Sequence, residues 1–216
     1  MTRILLIHGA WHDGRCWAGL AAALRARGWA PVCPDLPGGA ETTLRDCIDA
    51  LPDAPVVLGH SMGGILAEAL AQRHAPRLLI HLCSYLPLPG DSLAALDRLL
   101  PAPTRAWPRD AQGRLVLPPD AARRMMGTDP ALLRPQPLGP MRAPLPGPAR
   151  AATARHYILC RRDRAIPPAL QRAMIIRAGV DRVHARPWDH APFLSDPAGL
   201  AALIDRIGGM APPRKG

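Results

Sequence analysis

Between Pro55 and Gly64 the chain reads Pro-Val-Val-Leu-Gly-His-Ser-Met-Gly-Gly, and within it Gly59-His60-Ser61-Met62-Gly63 is a G-x-S-x-G pattern. An apolar run enters the pattern, and an amphipathic stretch with Ile65, Leu66, Ala69 and Leu70 leaves it. A strand-to-helix turn this sharp strains the backbone at the serine. Glycine two residues before and two after it removes the Cβ atoms that would collide. Ser61 is thereby presented at the positive end of a helix. A serine hydroxyl is a weak nucleophile near neutral pH, so it needs a base in reach and a third group to orient that base. His190 is the expected base, just after the last strand-like run in Arg186-Pro-Trp-Asp-His-Ala-Pro-Phe-Leu-Ser195. Asp163 is the expected acid, just after His156-Tyr-Ile-Leu-Cys160. Asp189 is a rival, but a neighbour in sequence is badly placed to orient its own histidine. The amides of Met62 and Ala10 are the expected oxyanion donors, the latter from the loop His8-Gly9-Ala10-Trp11. His8, His12 and Asp13 are metal-ligand types, but no second cluster completes a site, so no metal is expected.

The elements that must position these groups alternate short β-rich runs with helical patterns, as in a parallel sheet covered by helices on both faces. Strands are expected at 3–8, 30–34, 55–59, 78–84, 156–160 and 183–187, and helices at 16–27, 43–51, 62–74, 168–178 and 197–207. Several strand runs are almost continuously apolar, as suits parallel strands buried on both faces. The stretch from about 87 to 149 breaks the rhythm: it is Pro-rich, with weak helical segments near 92–100 and 120–126. An insertion of this length inside a compact domain is usually functional. It is expected to cap the C-terminal edge of the sheet within a single domain spanning 1–210, with 138–150 open to reading as a loose surface excursion and 211–216 as a frayed tail.

A length of 216 residues and a hydrophobic fraction of 48% suit one globular domain. No apolar stretch approaches the roughly 20 residues of a membrane-spanning helix. The start reads as a first strand rather than a secretory signal, which points to the cytoplasm. The net charge of +10 raises nucleic acid, but Lys215 is the only lysine, the arginines are scattered, and Phe193, Tyr85 and Tyr157 leave little to stack bases. Arginine still suits anionic substrates or surfaces. Five cysteines, an odd number without C-x-x-C spacing, read as reduced and structural.

The runs His8-Gly-Ala-Trp-His-Asp-Gly-Arg-Cys-Trp17, Gly59–Gly64, Tyr157–Pro167 with Gln171, and Asp189-His-Ala-Pro-Phe-Leu-Ser195 resemble the methylesterase and hydroxynitrile lyase branch of the α/β-hydrolases, bacterial members above all. The resemblance extends to about Ile207 and is weak only in the cap, whose end Arg134-Pro-Gln-Pro-Leu-Gly-Pro140 looks shortened. It implies an α/β-hydrolase fold and the triad Ser61, Asp163 and His190. The branch's lyases carry a threonine and a lysine where this chain has Gly9 and Ala191. Without that lysine nothing obvious stabilises departing cyanide, so hydrolysis of a small carboxylic ester is favoured. Lyase, thioesterase and lactonase chemistry are the alternatives, with a ligand receptor on a hydrolase fold as the non-catalytic one. Trp11, Met62, Leu86, Trp107, Met125 and Phe193 are candidate pocket walls, no cofactor is implied, and the chain is expected as a monomer or homodimer.

Overall fold

A computed structural model describes residues 1–100, 107–147 and 153–210. Six strands, β1 (Thr2–Ile7), β2 (Trp29–Val32), β3 (Val56–His60), β4 (Leu78–Leu82), β5 (Ala154–Cys160) and β6 (Arg182–Arg186), form one sheet in the order β2-β1-β3-β4-β5-β6. Every pairing is parallel. Successive side chains of a strand point to opposite faces, and the sheet uses both. Ile4, Leu6, Val56, Leu58, Leu78 and Ile80 pack on one side, and Leu5, Ile7, Val57, Leu79 and Tyr157 on the other.

The helices are α1 (Ala18–Arg25), α2 (Leu44–Asp49), α3 (Gly63–His74), α4 (Leu93–Leu96), α5 (Pro119–Ala121), α6 (Gly139–Arg142), α7 (Pro168–Ala178), α8 (Pro192–Ser195) and α9 (Pro197–Met210). Leu20 and Leu24 of α1 join Leu200, Leu203, Ile204 and Ile207 of α9 over the first face. Cys47, Leu66, Leu70 and Met174 bring α2, α3 and α7 to the second. α2 starts on a capping box, in which Thr43 Oγ1 accepts from the Asp46 amide at 3.1 Å and Asp46 Oδ2 from the Thr43 amide at 2.9 Å.

The helix expected at 16–27 is divided. A 3₁₀ turn at Gly14–Trp17, capped by Asp13, precedes α1. β2 and β6 are the edge strands, and β6 is half-exposed with Val183 open to solvent, so the buried character expected of strands holds for the interior ones. Among the described residues no helix is long and apolar enough to cross a membrane, and all five cysteines are free.

β1 lies inside the sheet with β2 on one side and β3 on the other, so the loops that follow β1 and β3 leave in opposite directions. A crevice opens at such a switch point, beyond the carboxyl ends of the strands. The chain between β4 and β5 covers it. There α4 runs into a 3₁₀ turn at Asp97–Leu99, and α5 into a π turn at Ala122–Met126. Isolated antiparallel bridges tie Arg109 to Leu115 and Leu115 to Gln136. Leu115, Leu117, Ala122, Met126 and Leu145 are buried against the sheet's second face. The alternative reading of a loose excursion from 138 does not fit the described residues: α6 forms there, Pro140 is buried, and Gly139 lies directly against the Thr42 carbonyl. Residues 148–150 and the tail 211–216 lie outside the described residues.

Candidate active site

Ser61 sits between β3 and α3 with φ +52°, a conformation that costs a non-glycine residue energy and persists only where its surroundings hold it. The surroundings do so through the backbone. The Ser61 amide donates to the Leu82 carbonyl at 3.3 Å, and the Ser61 carbonyl accepts from the Tyr85 amide at 3.1 Å and the Gly64 amide at 3.2 Å. The flanking glycines are required by space. A Cβ on Gly59 would stand 2.5 Å from the Gly63 carbonyl oxygen, and one on Gly63 2.6 Å from the Ile7 carbonyl oxygen. Gly9, across the crevice, comes so near that its Cβ would lie 2.7 Å from the Ser61 Cβ.

Asp163 and His190 meet at the same edge. His190 Nδ1 donates to Asp163 Oδ2 at 2.7 Å, with both side chains buried. A carboxylate accepts only, so Nδ1 is the donor in this pair. The other ring nitrogen, Nε2, is buried and has no hydrogen-bond partner, and His190 lines one cavity with Ser61. Asp163 is fully engaged: Oδ1 accepts from the amides of Ala165 (2.7 Å) and Ile166 (2.9 Å), and Oδ2 also accepts from Gln171 Nε2 at 3.1 Å. Asp189 faces away from the imidazole and accepts from the Ala191 amide at 3.0 Å and the Ser195 hydroxyl at 3.2 Å.

The cavity has a volume of about 460 Å³. Of the candidate walls, Trp11, Met62, Trp107 and Met125 line it, together with Ala10. Neither the Ala10 nor the Met62 amide donates a hydrogen bond among the described residues, which leaves both free to point at a ligand. Leu86 and Phe193 are corrected to core positions. Leu86 is fully buried in the second-face core, while its neighbour Tyr85 takes the cavity position. Phe193 packs behind the site, with ring centroids 4.6 Å from Trp17 and 4.9 Å from His60, because α8 turns it toward the first-face core.

Other residues build the site without having been singled out for it. His60 Nε2 donates to the His190 carbonyl at 2.8 Å and so holds the histidine loop. Gln171 bridges the Cys160 amide, the Ile166 carbonyl and Asp163. The cap clamps the Gly9–His12 loop. The Arg134 amide donates to the Trp11 carbonyl (2.8 Å), Arg134 Nε to the His12 carbonyl (2.9 Å), and the Trp11 amide to Gln136 Oε1 (3.2 Å). Trp11 Nε1 in turn donates to the Leu115 carbonyl at 3.1 Å. Two signals stood in the sequence, Gln171 beside the Tyr157–Pro167 run and the Arg134–Pro140 run, but neither discloses a contact.

Four buried histidines surround the crevice. Burial pushes the His8 imidazole down to about 4, although its hydrogen bond to the Gly9 carbonyl works the other way. Burial, reinforced by His190 and His8, pushes His12 down to about 3. Burial, again with His190, holds His60 well below the usual imidazole range. All three are neutral at pH 7. His60, Cys83 and His190 form a group of metal-ligand type, with one atom of each within 4.8 Å of the others. His60 Nε2 and Cys83 Sγ both donate to the His190 carbonyl and His190 Nδ1 donates to Asp163, while His60 Nδ1 and His190 Nε2 are without a partner.

Comparison with known proteins agrees with this architecture. The alpha/beta hydrolase family model matches residues 4–203. A carbendazim hydrolyzing esterase of Nocardioides sp. (strain SG-4G) is 30% identical, over 89% of this chain and 84% of its own length. A pyrethroid hydrolase of Sphingobium wenxiniae is 31% identical, over 94% and 86%. The crystal structure of a pyrethroid hydrolase from Sphingobium faniae superposes with a TM-score of 0.80 at 28% identity, covering 97% of this chain and 98% of that one.

Proposed function

We infer the reaction from one premise: this chain belongs to the alpha/beta hydrolase family and is a carboxylic ester hydrolase. Ser61 Oγ attacks the ester carbonyl carbon while His190 Nε2 takes its proton. The carbonyl oxygen becomes an oxyanion between the amides of Ala10 and Met62, where donors fixed in advance cost no reorganisation. The tetrahedral intermediate collapses to an acyl-Ser61, and His190 gives its proton to the departing alcohol. His190 then activates water, and a second tetrahedral intermediate releases the carboxylic acid and restores Ser61. Asp163 fixes the imidazole tautomer and stabilises the imidazolium that forms twice per turnover.

The observation that carries this reading is the His190 ring, held to Asp163 at 2.7 Å by Nδ1 while its Nε2 is buried and unpartnered. An unsatisfied buried acceptor is costly, and accepting the serine proton satisfies it. The Ser61 hydroxyl makes no hydrogen bond to this nitrogen here; in unliganded sites that bond is often long and tightens with substrate. Residues 87–149 act as the cap of a single domain. Trp11, Trp107, Met125 and Leu170 give the cavity an apolar character that suits esters with compact hydrocarbon or aromatic groups. Pyrethroid and carbendazim substrates are the first to try. A side chain at Gly9, the threonine position of the lyases, would collide with Ser61 in this chain, and Ala191 is buried in the core; both favour hydrolysis over cyanide release.

The test is turnover of p-nitrophenyl acetate and butyrate by the wild type beside Ser61→Ala. Saturable hydrolysis that drops by about 10⁴-fold or more in kcat in the variant supports the nucleophile. Equal rates would sink the assignment.

A further inference from the structure

Tyr157, in the middle of β5, has one of the largest fully buried side chains of the protein and takes no part in the triad. β4 and β5 pair in a register that sets His81 beside it. Just past β4 the chain turns at Cys83, whose φ of +34° is left-handed. The turn brings the next peptide group, Ser84 C=O with Tyr85 N–H, between Tyr157 and Ser61. Its carbonyl accepts from the Tyr157 hydroxyl at 2.7 Å, and its amide donates to the Ser61 carbonyl at 3.1 Å. Burial pushes the phenol well above its usual range, so it keeps its proton and stays a donor. The neighbours leave this peptide little freedom. Ser84 Oγ lies 3.0 Å from His81 Nδ1 and 3.1 Å from the Tyr85 carbonyl oxygen. Gly64, at the start of α3, has no room for a Cβ, which would overlap that same oxygen.

A peptide group is planar, so fixing its C=O also fixes the direction of its N–H. The same holds one step further on. The Ser61 carbonyl, which accepts from Tyr85, shares its plane with the Met62 amide, the donor proposed for the oxyanion. A continuous line therefore runs from the Tyr157 hydroxyl through two peptide groups to the Met62 N–H. In a buried, low-dielectric setting each bond of such a chain polarises the next, and an amide whose own carbonyl is engaged is a better donor. We propose that Tyr157 is a positioning residue for ester hydrolysis: through the Ser84–Tyr85 peptide it orients and polarises the Met62 amide toward the oxyanion. This role rests on the hydrolase reading above, with Ser61 as nucleophile. The Gly64 amide also reaches the Ser61 carbonyl, at 3.2 Å, so loss of the Tyr157 hydroxyl loosens the donor without freeing it.

Tyr157→Phe deletes the hydroxyl alone. Loss of a whole oxyanion donor costs about 10²–10³-fold in kcat, and loosening one is expected to cost about tenfold. The variant is compared with the wild type and with Ile204→Val, a core truncation on α9, on p-nitrophenyl butyrate, with active sites counted by fluorophosphonate titration. The expected result is a kcat per titrated site about tenfold lower in Tyr157→Phe at unchanged KM. The Ki of a trifluoromethyl ketone, which adds Ser61 and sets an oxyanion in the site, should rise by the same factor. Ile204→Val should lower Tm and leave kcat and Ki where they were. A lower Tm with unchanged kcat per site would make Tyr157 a structural residue only and overturn the proposal. A kcat loss without loss of ketone affinity, or an equal loss in Ile204→Val, would overturn it too. If Tyr157→Phe does not fold, Ser84→Ala, which removes the side-chain hold on the same peptide, carries the test with the same outcomes. Equal rates for Ser61→Ala would remove the hydrolase reading and this role together; a working Ser61 beside an unaltered Tyr157→Phe removes this role alone.

Discussion

Single atoms decide the chemistry of this site. In the proposed mechanism the imidazole of His190 is the base: its Nδ1 is committed to a carboxylate that is itself immobilised, which leaves the other nitrogen for one task. Gln171 has a large share in that immobilisation. Its amide nitrogen donates to Asp163 and to the Ile166 carbonyl, and its oxygen accepts from the Cys160 amide. Gln171→Ala removes these bonds, with a longer one to the Cys160 carbonyl, and lets the carboxylate turn. The expected result is a fall in kcat of roughly 10²-fold from misplacement of the base, with little change in KM. Unfolding stability drops by about 1–3 kcal/mol through the orphaned Cys160 amide. Steady-state kinetics and urea titration of the same variant read the two effects separately; a KM rise at unchanged kcat would assign Gln171 to the pocket instead.

At the scale of elements, α3 does more than follow Ser61. Glu68, deep in its buried face, accepts from Arg155 Nε and Nη2 at 2.9 Å each and from His81 Nε2 at 3.1 Å. Burial alone would raise its carboxyl, but the hydrogen bonds from His81 and Arg155, with their charges, outweigh that and hold it well below the carboxylate range. The pair ties α3 to β5 directly behind the elbow. Removing the Glu68 charge leaves the Arg155 guanidinium buried without its carboxylate, so Glu68→Gln is expected to cost about 3–5 kcal/mol. Replacing both, as in Glu68→Leu with Arg155→Met, should recover most of the loss, because two apolar groups need no partner. Urea midpoints of the single and double variants check this; a double variant no better than the single would mean that the pair is required for more than charge balance.

Across the whole molecule, the buried histidines make stability depend on pH. His8 and His12 have folded values of about 4 and about 3, and His60 lies well below the usual range, whereas an unfolded histidine titrates near 6.5. Below about pH 6.5 the unfolded chain takes up protons that the folded chain refuses, so stability falls with pH. The loss is up to about 1.4 kcal/mol per pH unit for each group and continues toward pH 4 for His8 and toward pH 3 for His12. Equilibrium unfolding in urea at pH 7 and pH 5 is expected to show a large drop in midpoint at constant m-value. Equal midpoints would mean that these imidazoles are not held neutral by the fold.

The sequence by itself determined the sheet, the elbow and the order of the three chemical groups. Those features are local. Apolar runs make buried strands, and a serine between glycines at a strand-to-helix turn has one workable geometry. The strand register then sets Ile7 beside Gly59 and Gly59 beside His81, so that loops from distant parts of the chain end at one edge. What only the tertiary structure decided was contact across that edge. Phe193 was a pocket residue by its place in sequence and a core residue by the turn of α8. Leu86 went to the core because the adjacent Tyr85 faces the cavity. Arg134 and Gln136, more than 120 residues from the loop they clamp, reach it only once the cap has folded back over the sheet. Periodicity reports which face of an element is apolar, and it carries no information about which elements meet; shape and charge in three dimensions settle that.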